Sequence, residues 1–223
     1  KLARLLEGIR AKQPSARVIV VTESVFSMDG DLCPLTEIIE LKNRHGALLF
    51  LDEAHAFGVL GPHGMGLAAE LGVQDRVDFQ MGTFSKAAGL SGGYLATSAT
   101  WRDLLVNRAR SFIYSTAPPP ALAHATMASL ERIRSTDGDR LRKQLRENIS
   151  VLSAKHPSPI VPVVLGSNDA ALATSAKLEE HGFLVPAIRY PTVPRGTARL
   201  RVSLSAAHPP EAIASLAKAV SSH

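Results

Sequence analysis

Two short apolar runs in this chain end in side chains able to do chemistry together. The run Ala47-Leu48-Leu49-Phe50-Leu51 delivers Asp52 and then His55, and the segment from Asp78 to Gly82 delivers Thr83, Ser85 and Lys86. In an α/β sheet, residues just past the carboxyl ends of neighbouring strands converge on one crevice, where ligands bind. A carboxylate at the end of a buried strand is expensive unless a positive group meets it, and a protonated pyridine nitrogen is such a group. A lysine among small and hydroxylated neighbours suits covalent catalysis by an amine. Hydroxyls at 83 and 85 suit a phosphate. These types fit pyridoxal phosphate, whose binding calls for a Schiff-base lysine and an acidic partner for the ring nitrogen.

Each residue also has a plainer reading. Asp52 could serve as a turn or helix-capping aspartate, and His55 as a satisfied core histidine. Thr83, Ser85 and the separate pair Ser115–Thr116 could fill turn and cap roles, as Ser and Thr commonly do. Arg201 shares one side of its strand with Arg199 by the period of two. There it could clamp a substrate carboxylate bidentately or close a salt bridge, with nothing local to choose between them. The letters Asp52-Glu53-Ala54-His55 also spell a helicase motif. That activity needs a phosphate loop of the G-x-x-x-x-G-K-[ST] kind, and the 223 residues contain none.

The elements that must position these groups alternate. Leucines 2, 5 and 6 with Ile9 form a helical stripe that Pro14 ends. Arg17 to Glu23 is a β-branched run, expected as a fully buried parallel strand. After a tight Asp29–Gly30 turn, Thr36 is expected to cap a helix that runs to Arg44 and ends at Gly46. Strands follow at 47–52, 78–82 and 94–97. The last connection is too short for a parallel crossover, so the final pair is expected to be antiparallel. A helix from Trp101 to Arg110 leads to an extended segment, 111–116, and prolines 118–120 open a long helix. The remainder reads strand 160–165, helix 169–181, strand 183–188, strand 198–204 and helix 209–220. The expected domains are 1–135 and 136–223.

Composition narrows the function classes. Apolar residues make up 45% and charged residues 20%, ordinary values for a globular protein. No window reaches the length of apolar sequence a membrane helix needs, and the N-terminal segment lacks a signal-peptide core. A single cysteine, Cys33, excludes an internal disulfide framework and suits a reducing cytoplasm. It has no companion ligands for a metal. The net charge of +5 gathers most densely between Arg132 and Arg146. Acidic residues interrupt that segment and no aromatic stacking platform accompanies it, so neither nucleic acid nor a membrane is an expected partner.

Five segments stand in a further pattern: TESVFSMDGDLCPL, LDEAHAFGVLG, GTFSKAAGLSGGYLA, FIYSTAPPPA and PTVPRGTARLRVSLSAAH. Their order and spacing resemble the α-oxoamine synthases, a family of fold-type-I pyridoxal-phosphate enzymes that condense an amino acid with an acyl thioester and release carbon dioxide. The resemblance implies a three-layer, mostly parallel α/β large domain, partly present here, and a small C-terminal α/β domain. It makes Lys86 the Schiff-base lysine, Asp52 the pyridinium partner, His55 and Ser27 contacts of the ring oxygen, and Thr83 a phosphate contact. Ser115 and Thr116 would reach the phosphate of a neighbouring subunit, implying a homodimer with shared active sites. Glu23, Thr192 and Arg201 would lie near the substrate, with Arg201 on its carboxylate. The Ser-Thr-Ala-Pro-Pro-Pro run, and Pro-Thr-Val-Pro with Ser-Ala-Ala-His, are similar to the biotin-pathway branch. That branch joins L-alanine to a pimeloyl thioester carried on coenzyme A or an acyl carrier protein; other branches take glycine or serine.

The family has a further section ahead of the residue numbered 1 here, with a glycine-containing phosphate loop and a histidine that stacks on the cofactor. Residues 1–223 by themselves are therefore expected to bind cofactor weakly and turn over little. A non-catalytic homologue using the fold as a scaffold is the rival reading; joint retention of Asp52, His55, Thr83 and Lys86 argues against it.

Overall fold

A computed structural model describes residues 1–221. These divide into two units: residues 1–25 with 33–138, and residues 26–32 with those from 139 onward. The division falls just past the expected boundary near 135. It also assigns the short segment Phe26–Leu32, expected in the large domain, to the C-terminal unit.

In the first unit, strands β1 (Ile19–Glu23), β2 (Leu48–Asp52), β3 (Phe79–Thr83) and β4 (Gly93–Thr97) lie side by side in that order. The first three are parallel and β4 is antiparallel to β3, as the short connection requires. Helix α1 (Leu2–Lys12) forms where the stripe predicts it, with Leu6 buried and Leu5 56% exposed. Asp78, just ahead of β3, accepts from the Lys42 ammonium and the Leu49 N–H, each at 2.8 Å. That joint ties helix α2 (Leu35–Arg44) to two strands. Leu49 and Leu51 of β2 are wholly buried.

Several local expectations change. β1 is not buried on both faces: Val20 is buried, whereas Ile19 and Val21 are 53% and 69% exposed. A β-branched run reports strand but not how many faces are covered. Thr36 does not cap α2, because Pro34 occupies the N-cap and the helix starts at Leu35. The segment expected as extended at 111–116 instead begins with one helical turn, α5 (Arg110–Ile113), closed by Ile113 N–H to Ala109 O. Four apolar-rich residues cannot distinguish a turn of helix from a strand by periodicity. α3 (Leu67–Glu70) lies between β2 and β3, α4 (Ala99–Arg108) and α6 (Pro120–Arg134) follow the predicted order, and α7 (Thr136–Leu152) carries the chain into the second unit.

The second unit has a three-stranded antiparallel sheet in the order β5 (Ile160–Gly166), β7 (Ala198–Ser203), β6 (Ala187–Ile188). Helices α8 (Asn168–Glu180) and α9 (Pro210–Ser221) complete it. β6 is shorter than the expected 183–188 because Phe183 N–H is spent on Leu178 O at the end of α8. Pro186 has no N–H to offer a neighbouring strand. The unit's core gathers Ile160, Val161, Leu178, Leu200, Val202 and Ile213.

Candidate active site

The parallel register sets the first unit's polar groups in a row at the carboxyl ends of its strands. Glu23 pairs with Asp52 across β1 and β2, and Asp52 pairs with Met81 on β3, just short of Thr83. Asp52 Oδ1 accepts the Ala54 N–H at 2.8 Å. This is a side-chain turn that stops the strand and fixes the carboxylate. Its other oxygen has no hydrogen bond among the described residues. His55 sits half-buried on the helical turn that follows, whose frame is Ala56 N–H and Phe57 N–H to Glu53 O.

Lys86 lies on a loop between β3 and β4 that closes on itself. Phe84 N–H donates to Gly92 O, Leu90 N–H to Phe84 O, and Gly89 N–H to the Lys86 carbonyl, at 2.8 to 3.0 Å. The Thr83 and Ser85 hydroxyls bond each other at 2.8 Å, and Thr83 Oγ1 also donates to Gly92 O at 3.0 Å. In this loop Thr83 does a turn residue's work. The Lys86 side chain is exposed at the tip.

What brings the two loops together is a second set of contacts. Phe57, on the turn after Asp52, meets the rings of Phe84 and Tyr94 edge-on at 6.4 and 5.4 Å. Phe57 and Ala88 are buried in one cluster with Ile133. Gly58 has φ +80, and a Cβ there would collide with Ala87, the residue next to Lys86. Ser129 of α6 donates to the Ala88 carbonyl at 2.9 Å. The Asp52–His55 turn and the Lys86 loop are thus packed directly on each other, and only a glycine at 58 allows that approach.

Sequence reasoning passed over Glu53, which is fully buried. Its carboxylate accepts the N–H groups of Leu67 and Ala68 at 3.0 and 2.9 Å, satisfying the first donors of α3. A side chain at Gly66, which has φ +98, would strike that carboxylate at 2.7 Å. Burial raises the Glu53 pKa above its ordinary 4.5, against the lowering effect of hydrogen bonds from Ala68, Ser24 and Leu67. Tyr94 is pushed up to about 12 by burial and by the Glu53 charge. A raised carboxyl pKa means the folded state holds its proton more tightly than the unfolded chain does. The contribution is therefore complete below 4.5 and lost as pH rises through the folded value. Denaturant unfolding across that range should show the wild-type advantage over Glu53→Gln shrinking as pH rises; a constant or growing advantage would refute this assignment.

Of the other expected residues, Ser115 and Thr116 follow α5 and are exposed. Ser27, Thr192 and Arg201 belong to the second unit. There Arg201 of β7 donates from Nε to the Ser27 carbonyl at 2.6 Å and from NH1 to Ser203 Oγ at 3.0 Å. Burial lowers the Arg201 pKa. Arg199 and Asp29 form an ion pair, whereas the salt bridge open to Arg201 is not made: its acceptors, the Ser27 carbonyl and Ser203 Oγ, are neutral. Thr192 is exposed in the loop before β7.

An amine on a closed loop, a carboxylate with one oxygen open to an N–H donor and a half-buried imidazole lie on adjoining loops past the carboxyl ends of parallel strands. This donor set fits pyridoxal phosphate and defines the class of protein. The chain belongs to the aminotransferase class I and II family, whose family model matches residues 2–220. Within it, the relatives are α-oxoamine synthases. The chain is similar to the 8-amino-7-oxononanoate synthase of Anaeromyxobacter dehalogenans (strain 2CP-1 / ATCC BAA-258), with 51% identity over 211 residues. That match covers 91% of this chain and 53% of the relative.

Among solved structures, it resembles the serine palmitoyltransferase of Sphingomonas wittichii (TM-score 0.91, 32% identity, 99% of this chain and 57% of that one). It also resembles the 8-amino-7-oxononanoate synthase of Francisella tularensis (TM-score 0.80, 26% identity, 97% and 65%). The chain spans about half the length of the curated relatives it matches, 53% in the case above. No helix among the described residues is long and apolar enough to cross a membrane.

Proposed function

We propose that the protein to which this chain belongs joins L-alanine to a pimeloyl thioester, releasing carbon dioxide and forming 8-amino-7-oxononanoate for biotin synthesis. The observation that carries the chemistry is the packing of the Lys86 loop on the Asp52 turn through Ala87 and Gly58. The 51% identity to a named synthase carries the choice of substrate. A serine-using reading draws on the higher TM-score to serine palmitoyltransferase, but that match is 32% identical. Backbone likeness reports a fold that hosts several activities, whereas substrate choice lies in side chains.

Pyridoxal phosphate, when bound, supplies an electron sink for negative charge at the substrate α-carbon. Asp52, through the oxygen that Ala54 leaves open, holds the proton on the ring nitrogen. Lys86 would hold the cofactor through its aldehyde, and its amine, when free, would carry the proton to and from the substrate α-carbon. His55 and Ser27 would hydrogen-bond the ring oxygen, and Thr83, by turning its hydroxyl away from Gly92 O, the phosphate. Ser115 and Thr116 serve the phosphate in the site of a second copy, so the working form is a homodimer. Arg201 holds the alanine carboxylate, with Glu23 and Thr192 on the substrate side. The acyl group arrives on coenzyme A or an acyl carrier protein, and the enzyme works in the cytoplasm, with neither nucleic acid nor membrane as a partner.

The direct test is to load the protein with pyridoxal phosphate, reduce with borohydride and map the modified peptide. The cofactor should be fixed on the peptide containing Lys86, and alanine with a pimeloyl thioester should outperform glycine or serine. Label on another lysine, or a preference for serine with a palmitoyl thioester, would replace this reading.

A further inference from the structure

The segment Phe26–Leu32, read from sequence as little more than an Asp-Gly turn, is held on β7 of its unit by several independent contacts. Arg199 and Arg201 project from one side of β7, two residues apart, and meet segment residues that are likewise two apart. Arg199, buried, pairs with the Asp29 carboxylate, and Arg201 Nε donates to the Ser27 carbonyl at 2.6 Å. Arg199 is itself oriented by a bond from its Nε to Thr197 O at 3.0 Å. A ring nitrogen of His156, Nε2, stands 3.1 Å from the Asp29 carbonyl. Gly30, at φ +68, is so close to β5 that a Cβ would run into the Ile160 carbonyl and Ser158 Oγ. The segment is closed within itself by Gly30 N–H to Phe26 O at 2.8 Å and Phe26 N–H to Asp31 O at 2.9 Å.

This arrangement decides which edge of the Arg201 guanidinium is available. Arginine can grip a carboxylate with two parallel N–H bonds, either from its Nε and one terminal nitrogen or from both terminal nitrogens. The Ser27 carbonyl occupies Nε, and Ser203 Oγ takes one N–H of NH1. One N–H of NH1 and one of NH2 remain to form the end-on fork.

We infer that Asp29, Gly30 and Arg199 are positioning residues: by clasping segment 26–32 to β7 they keep the Ser27 carbonyl on Arg201 Nε, so that Arg201 meets an amino-acid carboxylate end-on with its two terminal nitrogens. This rests on the reading of Arg201 as the carboxylate residue. The clasp's most demanding member is Arg199, whose buried charge requires the Asp29 partner. Its most sterically strict member is Gly30. Neither Asp29 nor Gly30 needs to touch substrate for the effect. Loosening the clasp frees the Nε edge, gives the guanidinium competing orientations and weakens carboxylate binding, because hydrogen bonds to charged groups depend on geometry.

The experiment uses the cofactor-loaded protein with Gly30→Ala, Asp29→Asn and Arg201→Lys, and two readouts. Nitrogen-15 NMR should show a protected Arg201 Nε–H that is lost in the Gly30 and Asp29 variants. Titration of cofactor absorbance should show the Kd for L-alanine rising about tenfold in both, the scale of one weakened charge-assisted bond. L-alaninamide, which has no carboxylate, should bind both variants as it binds wild type. If Gly30→Ala fails to fold, Asp29→Asn carries the test. Retained Nε–H protection in the Gly30 and Asp29 variants, or equal weakening of alanine and alaninamide, would overturn the positioning role. Unchanged alanine binding in Arg201→Lys would overturn the carboxylate role instead, with the clasp still judged by the Nε–H signal.

Discussion

Lys86→Ala should lower turnover by about 10⁴-fold or more, since it removes both a covalent attachment and a proton carrier. The fold should be indifferent to the change. Lys86 contributes to its loop through the backbone, where its carbonyl accepts the Gly89 N–H, and alanine keeps that bond. Its side chain is exposed and fills no core space. The neighbouring anchors, Ala87 against Gly58 and Ala88 under Ser129, are likewise unaffected. Circular dichroism and denaturant midpoint should match wild type, while borohydride no longer fixes the cofactor to this loop. A variant keeping more than about a tenth of wild-type kcat would sink the assignment, since no acid–base role of ordinary size could be so small.

The second large effect is at Asp52, where two substitutions separate charge from shape. Asparagine keeps an acceptor for the Ala54 N–H, now made at 2.8 Å, so the turn carrying His55 survives. It loses the negative charge that would hold a proton on the ring nitrogen. Asp52→Asn should therefore cost about 10²- to 10³-fold in kcat, the scale of removing one preorganised electrostatic partner, with little change in stability. Asp52→Ala loses the turn as well, adding roughly 1 kcal/mol of destabilisation. Steady-state kinetics beside denaturant unfolding would resolve the two. Equal kcat in wild type and the asparagine variant would mean that this carboxylate does no more than cap its turn.

How much of this was legible beforehand depended on the range of the interactions. The stripe of α1, the run of β2 and the antiparallel return of β4 are local patterns, and each appears where periodicity and connection length put it. Asp52, Thr83 and Lys86 could be singled out because residue types known for chemistry followed apolar runs. The misreadings were also local in origin. Exposure of Ile19 and Val21, the turn at Arg110–Ile113 and the shortened β6 depend on which neighbours cover or compete for a backbone group.

The sequence by itself determined the chemical repertoire and its order: an acid, an imidazole, hydroxyls and an amine at the ends of successive strands. Tertiary structure alone decided how that repertoire is held. Glu53 became a buried helix cap, Gly58 the point where two loops touch, and Asp29 the partner of Arg199 far along the chain. The reason is that a hydrogen bond or ion pair specifies only the type of its partner, whereas the identity of that partner follows from the path of the backbone.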